Sequence, residues 1–250
     1  MAAASWTAFH EARERWPDVV TTDSRPIAWF GDSRRYATSP VKVVTAGLNP
    51  SQIEFPVSAP ESRFPAGAGE VGASASYQQS LDDYFHVDPY WAWFNTFRCV
   101  LAGVGAGFAP GAGLSTALHT DLGSPVATSP TWSKLGPSPR KGLAERGIGL
   151  WHELITELQP HVVLLSVAKK HLETIAFPAL SEWEPLCYFP LPGGGTYTAL
   201  IRWFEISDRP TAVVWGQAAV TPFQLIPQLA RHELGHQTRI ALTRPPARGA

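Results

Sequence analysis

Two short runs constrain this chain more than anything else in it. "VKVVTAG" (41–47) and "HVVLLSVA" (161–168) are apolar and rich in β-branched residues, with almost no polar alternation. A strand without a polar face is buried on both sides, and such strands belong to parallel sheets covered by helices. The neighbouring segments fit that requirement. "DPYWAWFNTFRCVLAGVG" (88–105) and "LWHELITELQP" (150–160) carry apolar residues at helical spacing. So does residues 6–16, and "KKHLETIAFPAL" (169–180) and "PFQLIPQLARHELGHQTRIAL" (222–242) read as two further helices. "PIAWF" (26–30) is a strand candidate, and "STALHTDLGSPVAT" (115–128) starts as a strand and leaves it near Asp121. "TYTALIRWFEI" (196–206) and "TAVVWG" (211–216) read as a late pair of strands. This alternation predicts an α/β protein, a three-layer α/β/α sandwich around a mainly parallel sheet. One domain is expected, with its core over about 25–230, a short N-terminal helix and a basic C-terminal tail.

Composition removes several function classes. The 250 residues are 44% hydrophobic, with 10 tryptophans and 12 phenylalanines, enough for a sizeable core. The formal net charge of −1 gives no global attraction to nucleic acid, so DNA binding would need a local basic patch. Cys99 and Cys187 stand in no CxxC pair and cannot make a disulfide framework. The chain begins without a basic start and apolar run, and no apolar stretch approaches ~18 residues. A cytoplasmic protein without a membrane segment is expected.

Open α/β sheets place their sites beyond the carboxyl ends of the strands. Three predicted strand exits carry informative residues: "GLNPS" (47–51), Asp121, and "WGQ" (215–217). Residues 52–76, rich in Pro, Gly, Ala and Ser, read as a long loop beside the first exit, and loops that long in compact domains are usually functional or disordered.

"VVTAGLNPS" (43–51) resembles the first motif of the uracil-DNA glycosylase superfamily, closest to the G-x-N-P turn of its mismatch-specific and single-strand-selective branches. "ALHTDLGSPVATSPTWSKL" (117–135) is similar to that superfamily's central strand and following loop, where a strand-end Asn usually reads the base. The second family motif, a His-Pro-Ser or Asn-Pro-Ser turn after the last strand, is not visible; "WGQAAVTPF" (215–223) stands in its place, with Gln217 and Thr221 as partial substitutes.

The resemblance implies a monomeric, cofactor-free DNA glycosylase that acts on a deaminated or damaged base in DNA. Asn49 would position the attacking water, Gly47 and Leu48 would line the base pocket, and Gln217 would stand near the lost motif. Phe55, with Phe64 and Tyr77 behind it, would stack on the flipped base. Asp121 departs from the family's Asn: an ionised Asp only accepts hydrogen bonds, so the base preference would differ from plain uracil, or Asp121 would bind protonated. His119 would share its strand face with Asp121. Ser124, Ser133, Lys134, Ser138, Arg140 and Lys141, in a Ser/Pro loop, and Lys169 would contact the DNA backbone.

A rival motif is "HELGH" (232–236), which puts His232 and His236 at i and i+4 with Glu233 between them, the arrangement of a zinc metalloprotease. A catalytic zinc needs a third protein ligand, and no His, Glu, Asp or Cys follows His236. A third reading is a nucleic-acid-binding member of the glycosylase fold that has lost catalysis.

Overall fold

In a computed structural model of the chain, residues 2–65, 74–191, 193–217 and 221–246 are described. The helices are α1 (Ala2–Arg15), α2 (Ser33–Ala37), α3 (Ala75–Asp82), α4 (Trp91–Val104), α5 (Pro137–Leu158) and α6 (Gln228–Ala241). The strands are β1 (Val43–Gly47), β2 (Ala106–Gly107), β3 (Ser115–Asp121), β4 (Val162–Leu165), β5 (Glu184–Pro190), β6 (Thr196–Ile206) and β7 (Arg209–Trp215). They form a seven-stranded sheet in the order β2-β3-β1-β4-β7-β6-β5. The protein is therefore α/β with a mostly parallel, mixed sheet.

The two apolar runs lie side by side. β1 pairs in parallel with β4, Val43 opposite Val162 through Ala46 opposite Leu165, and β4 pairs in parallel with β7. Every residue of β1 and β4 is buried, as strands covered on both faces must be. The late strands turn back: β7 pairs antiparallel with β6, and β6 with β5. β6 alternates between buried and partly exposed residues, as expected of a strand with one open face.

Local chemistry corrects four sequence expectations. "PIAWF" forms no strand; only Phe30 bridges to His119, exchanging N–H···O bonds of 2.9 and 3.0 Å. Pro26 opens that short run without a donor. Residues 169–180 hold a 3₁₀ helix over Lys169–Thr174 in place of an α-helix, and Pro178 bars its extension. β5 went unforeseen, because Pro185 and Pro190 mark it as a poor strand; at the sheet's edge such residues are tolerated. The expected loop 129–142 tightens into a 3₁₀ turn at Trp132–Lys134 and then starts α5 at Pro137, the helix position where proline's missing N–H costs nothing.

The residues group into two compact units, each assembled from three chain segments. The first comprises Met1–Ser33, Gly47–Tyr90 and His119–Leu154; the second comprises Arg34–Ala46, Trp91–Leu118 and Ile155–Ala250. The divisions at 46/47 and 118/119 fall inside β1 and β3. No described helix is long and apolar enough to cross a membrane.

Within the second unit α4 and α6 meet backbone to backbone. A Cβ on Gly103 would lie 2.1 Å from the His232 carbonyl oxygen, and one on Gly235 would lie 2.0 Å from that of Val100. Neither backbone can yield without separating the helices. Gly103→Ala is expected to destabilise the protein by about 1–3 kcal/mol, as overpacking does. Urea denaturation of the variant checks this; an unchanged midpoint would mean the helices part freely.

Candidate functional site

The first unit carries the exits of β1 and β3, and backbone hydrogen bonds clasp them together. Leu122 donates to the Gly47 carbonyl at 3.0 Å, and Gly123 and Ser124 both donate to the Leu48 carbonyl, at 2.7 and 3.1 Å. Further along, Ser51 bridges to Thr128. This clasp presents acceptors to Asn49. Its Nδ2 donates to the Pro50 carbonyl at 2.8 Å, to Thr128 Oγ1 at 3.0 Å and to the Val126 carbonyl at 3.3 Å. Two of those partners are carbonyls, so the nitrogen and not the oxygen must face them. Asn49 Oδ1 is thereby turned the other way, and no described residue donates to it. A half-buried acceptor locked in direction can orient a water.

The same unit holds two buried acids. Asp121 ends β3 with 8% of its surface exposed. A Cβ on Gly47 would sit 2.8 Å from Asp121 Oδ1 and 3.4 Å from His119 Nε2, so any larger residue there would have to displace the Asp121 carboxyl. His119 Nε2 stands 3.8 Å from Asp121 Oδ1, outside hydrogen-bond range, and no described donor comes closer. A void of about 10 Å³ also borders Asp121, space for about one water.

The second acid, Glu54, was missed by sequence reasoning. It follows the "NPS" turn and is only 4% exposed. Tyr84 hydroxyl donates to its Oε2 at 2.7 Å, and Arg63 Nη1 donates to the same oxygen at 3.3 Å. Burial pushes its carboxyl from 4.5 up to about 7, against the opposing pull of Tyr84 and Arg63, and the Asp121 charge adds to the rise. The available signal was Ser51-x-x-Glu54, which reads as a helix-capping pair. Ser51 does cap the short turn Gln52–Glu54, through Ile53 N–H, but the Glu54 side chain turns inward to Tyr84.

Aromatic rings wall this region. Phe55 and Phe64 are buried and stack on each other at 5.5 Å and 23°, and Phe64 stacks on Tyr84 at 5.4 Å and 29°. Phe30 lies 4.7 Å from the Tyr84 ring and 5.5 Å from the His119 ring, tying the column to β3. Phe55 is thus a member of a packed column and not a free lid. Tyr77 lies apart, its ring on Trp6 and its hydroxyl bonded to the Pro26 carbonyl.

The expected DNA-backbone residues divide. Ser124 is a correction: it is buried, and its Oγ accepts from Val126 N at 3.1 Å, because it caps the turn that feeds Asn49. Ser133, Lys134 and Ser138 are exposed. Arg140, half-buried in the first turn of α5, donates to the Leu135 carbonyl, and Lys141 pairs with Glu145 at 3.7 Å. Lys169 and Gln217 belong to the second unit and are both exposed, as is the first residue of the 3₁₀ helix and the turn after β7 respectively.

"HELGH" lies on α6. Leu234 and Gly235 are buried, Gly235 against α4, while His232, Glu233 and His236 are exposed. Gln237 donates to Glu233 Oε1 at 2.7 Å, and His236 Nδ1 is 3.9 Å from that oxygen. Among the described residues no three His, Cys, Asp or Glu side chains gather closely enough to hold a metal. Helix packing accounts for the buried half of the motif.

No family model, curated protein or solved structure matches the chain.

Two outcomes follow from this geometry. Asn49→Asp sets a carboxylate against the Val126 carbonyl and is expected to cost about 1–3 kcal/mol, read by urea unfolding at pH 8. Glu54 behaves differently with pH. Its folded carboxyl holds a proton that the unfolded chain releases near 4.5, so the stability it contributes below 4.5 is lost as pH rises towards about 7. Glu54→Gln should therefore gain on wild type across that window, by up to about 3 kcal/mol. A difference between the two proteins that does not change from pH 4.5 to pH 8 would contradict this.

Proposed function

We propose that the protein is a DNA glycosylase of the uracil-DNA glycosylase type, hydrolysing the N-glycosidic bond of a flipped, deaminated or damaged base. The observation that carries this is the Asn49 carboxamide: its nitrogen is spent on three acceptors, and its oxygen is left aimed and unpaired at the end of a central strand. The mostly parallel sheet and the gathering of Gly47, Asn49, His119 and Asp121 at the exits of β1 and β3 support the same reading.

Hydrolysis requires the base out of the stack, water at the sugar carbon, and stabilisation of the charge that develops on the departing base. Asn49 Oδ1 holds the water; a carboxamide is too weak a base to take its proton early, so its contribution is direction. The buried surroundings of Asp121 and Glu54 exclude bulk water from the base's edge. Ser133 and Lys134, exposed in the 3₁₀ turn, and Ser138, exposed in the first turn of α5, meet the phosphates without reading sequence. The protein acts as a cytoplasmic monomer on DNA.

Base release tests this. Single- and double-stranded oligonucleotides carrying uracil, hypoxanthine, xanthine or 5-substituted pyrimidines are incubated with the protein, and hot alkali reveals abasic sites. Wild type is expected to release one of these bases. Asn49→Ala, its fold verified by circular dichroism, should lose at least about 10²-fold in rate. Added zinc and His232→Ala should change nothing. Undiminished release by Asn49→Ala, or release that needs zinc and His232, would sink the reading.

A further inference from the structure

The two buried acids leave complementary atoms without partners. Glu54 Oε2 already accepts from Tyr84 and Arg63, whereas no described residue bonds to Oε1. Asp121, with a side chain only 4% exposed, has no described hydrogen-bond donor at all. A carboxylate buried without a donor is costly, and no described residue supplies that donor. A proton on Glu54 belongs on Oε1, since Oε2 is occupied on both sides. The site then offers one O–H donor and one acceptor to whatever enters it.

We propose that Glu54 and Asp121 together read the lactam edge of a deaminated base, where a ring carbonyl stands beside a ring N–H. Glu54 Oε1–H donates to the carbonyl, and the Asp121 carboxylate accepts from the N–H. A single carboxamide would provide the same donor and acceptor from one side chain; here two acids divide the task. The inference rests on the glycosylase reading for its substrate, but base recognition can be measured apart from catalysis. The aromatic column supports it: Phe30 touches both the Tyr84 ring that serves Glu54 and the His119 ring beside Asp121, so both acids adjoin one set of rings. An amidine edge, as in cytosine or adenine, puts an amino donor where the lactam has its carbonyl and would meet Glu54's own proton.

The charged and titratable groups around Glu54 are few. Tyr84 and Arg63 touch it, Asp121 approaches from β3 with His119 beside it, and Asp88 lies 3.8 Å from Arg63 Nε on the solvent side. Burial and the Asp121 charge favour the protonated form of Glu54, and its carboxyl titrates near 7. The donor is therefore present below that value and lost above it.

The experiment is calorimetric titration of free uracil and cytosine, and of hypoxanthine and adenine, into wild type and into Glu54→Gln and Asp121→Asn between pH 6 and pH 8. None of these bases titrates in that window. Wild type is expected to prefer the lactam of each pair and to lose about fivefold in affinity for it from pH 7 to pH 8. Glu54→Gln, whose amide donates at every pH, should bind the lactam with no pH dependence. Asp121→Asn should weaken it. Preference for the amidine, persistence of the pH dependence in Glu54→Gln, or no base binding at all would each overturn the pair. The last would leave Asp121 served by a single water. Base binding of the expected pattern without base release from DNA would sink the glycosylase reading alone. Release from DNA that is indifferent to pH and to Glu54→Gln would sink the pair alone.

Discussion

The Leu48 carbonyl accepts two N–H groups, and the site is built around that pair of hydrogen bonds. Gly123 and Ser124 supply them, and the requirement propagates outward. A side chain on Gly123 would press on the Leu48 oxygen at 2.8 Å and on the Trp132 ring at 3.2 Å. A side chain on Gly147 of α5 would in turn strike the Gly123 oxygen at 2.1 Å. The turn after β3 is thus held from both sides by backbone, with no side chain intervening. Only in that position do the Val126 carbonyl and the Thr128 hydroxyl reach the Asn49 amide.

The same rigidity explains how two buried acids are tolerated. Removing a carboxylate from water costs several kcal/mol unless partners replace the solvent. Glu54 has two partners on one oxygen and keeps its proton up to about 7; Asp121 has none among the described residues. Buried acids left short of partners are a common mark of functional sites. Phe55, Phe64, Tyr84 and Phe30 pack around these acids and prevent the relaxation that would bring solvent in.

The central fold was legible because β1 and β4 are apolar at every position, a pattern that permits one environment only. β5 was illegible for the opposite reason: its prolines and half-exposed residues depend on β6 already being in place. Asn49, Gly47 and Asp121 could be picked out because they stand at strand exits. Glu54 could not, since its spacing from Ser51 satisfies a local rule while the side chain answers to Tyr84, some thirty positions away. "HELGH" shows the converse. Its spelling satisfies a metal motif, but its spacing also buries Leu234 and puts Gly235 on the face that α4 covers.

The interleaving of the two units bears on the order in which the ribosome delivers them. All segments of the site-bearing unit exist once residue 154 has been made, whereas the other unit waits for β4 and β7. Until then β1 has left the ribosome with the edge meant for β4 unpaired, a fully apolar strand presenting open N–H and C=O groups. Chains paused in that interval carry a template for self-association. Vectorial synthesis therefore exposes the strand that later holds the site, and fast passage from residue 154 to Trp215 protects the yield of folded protein.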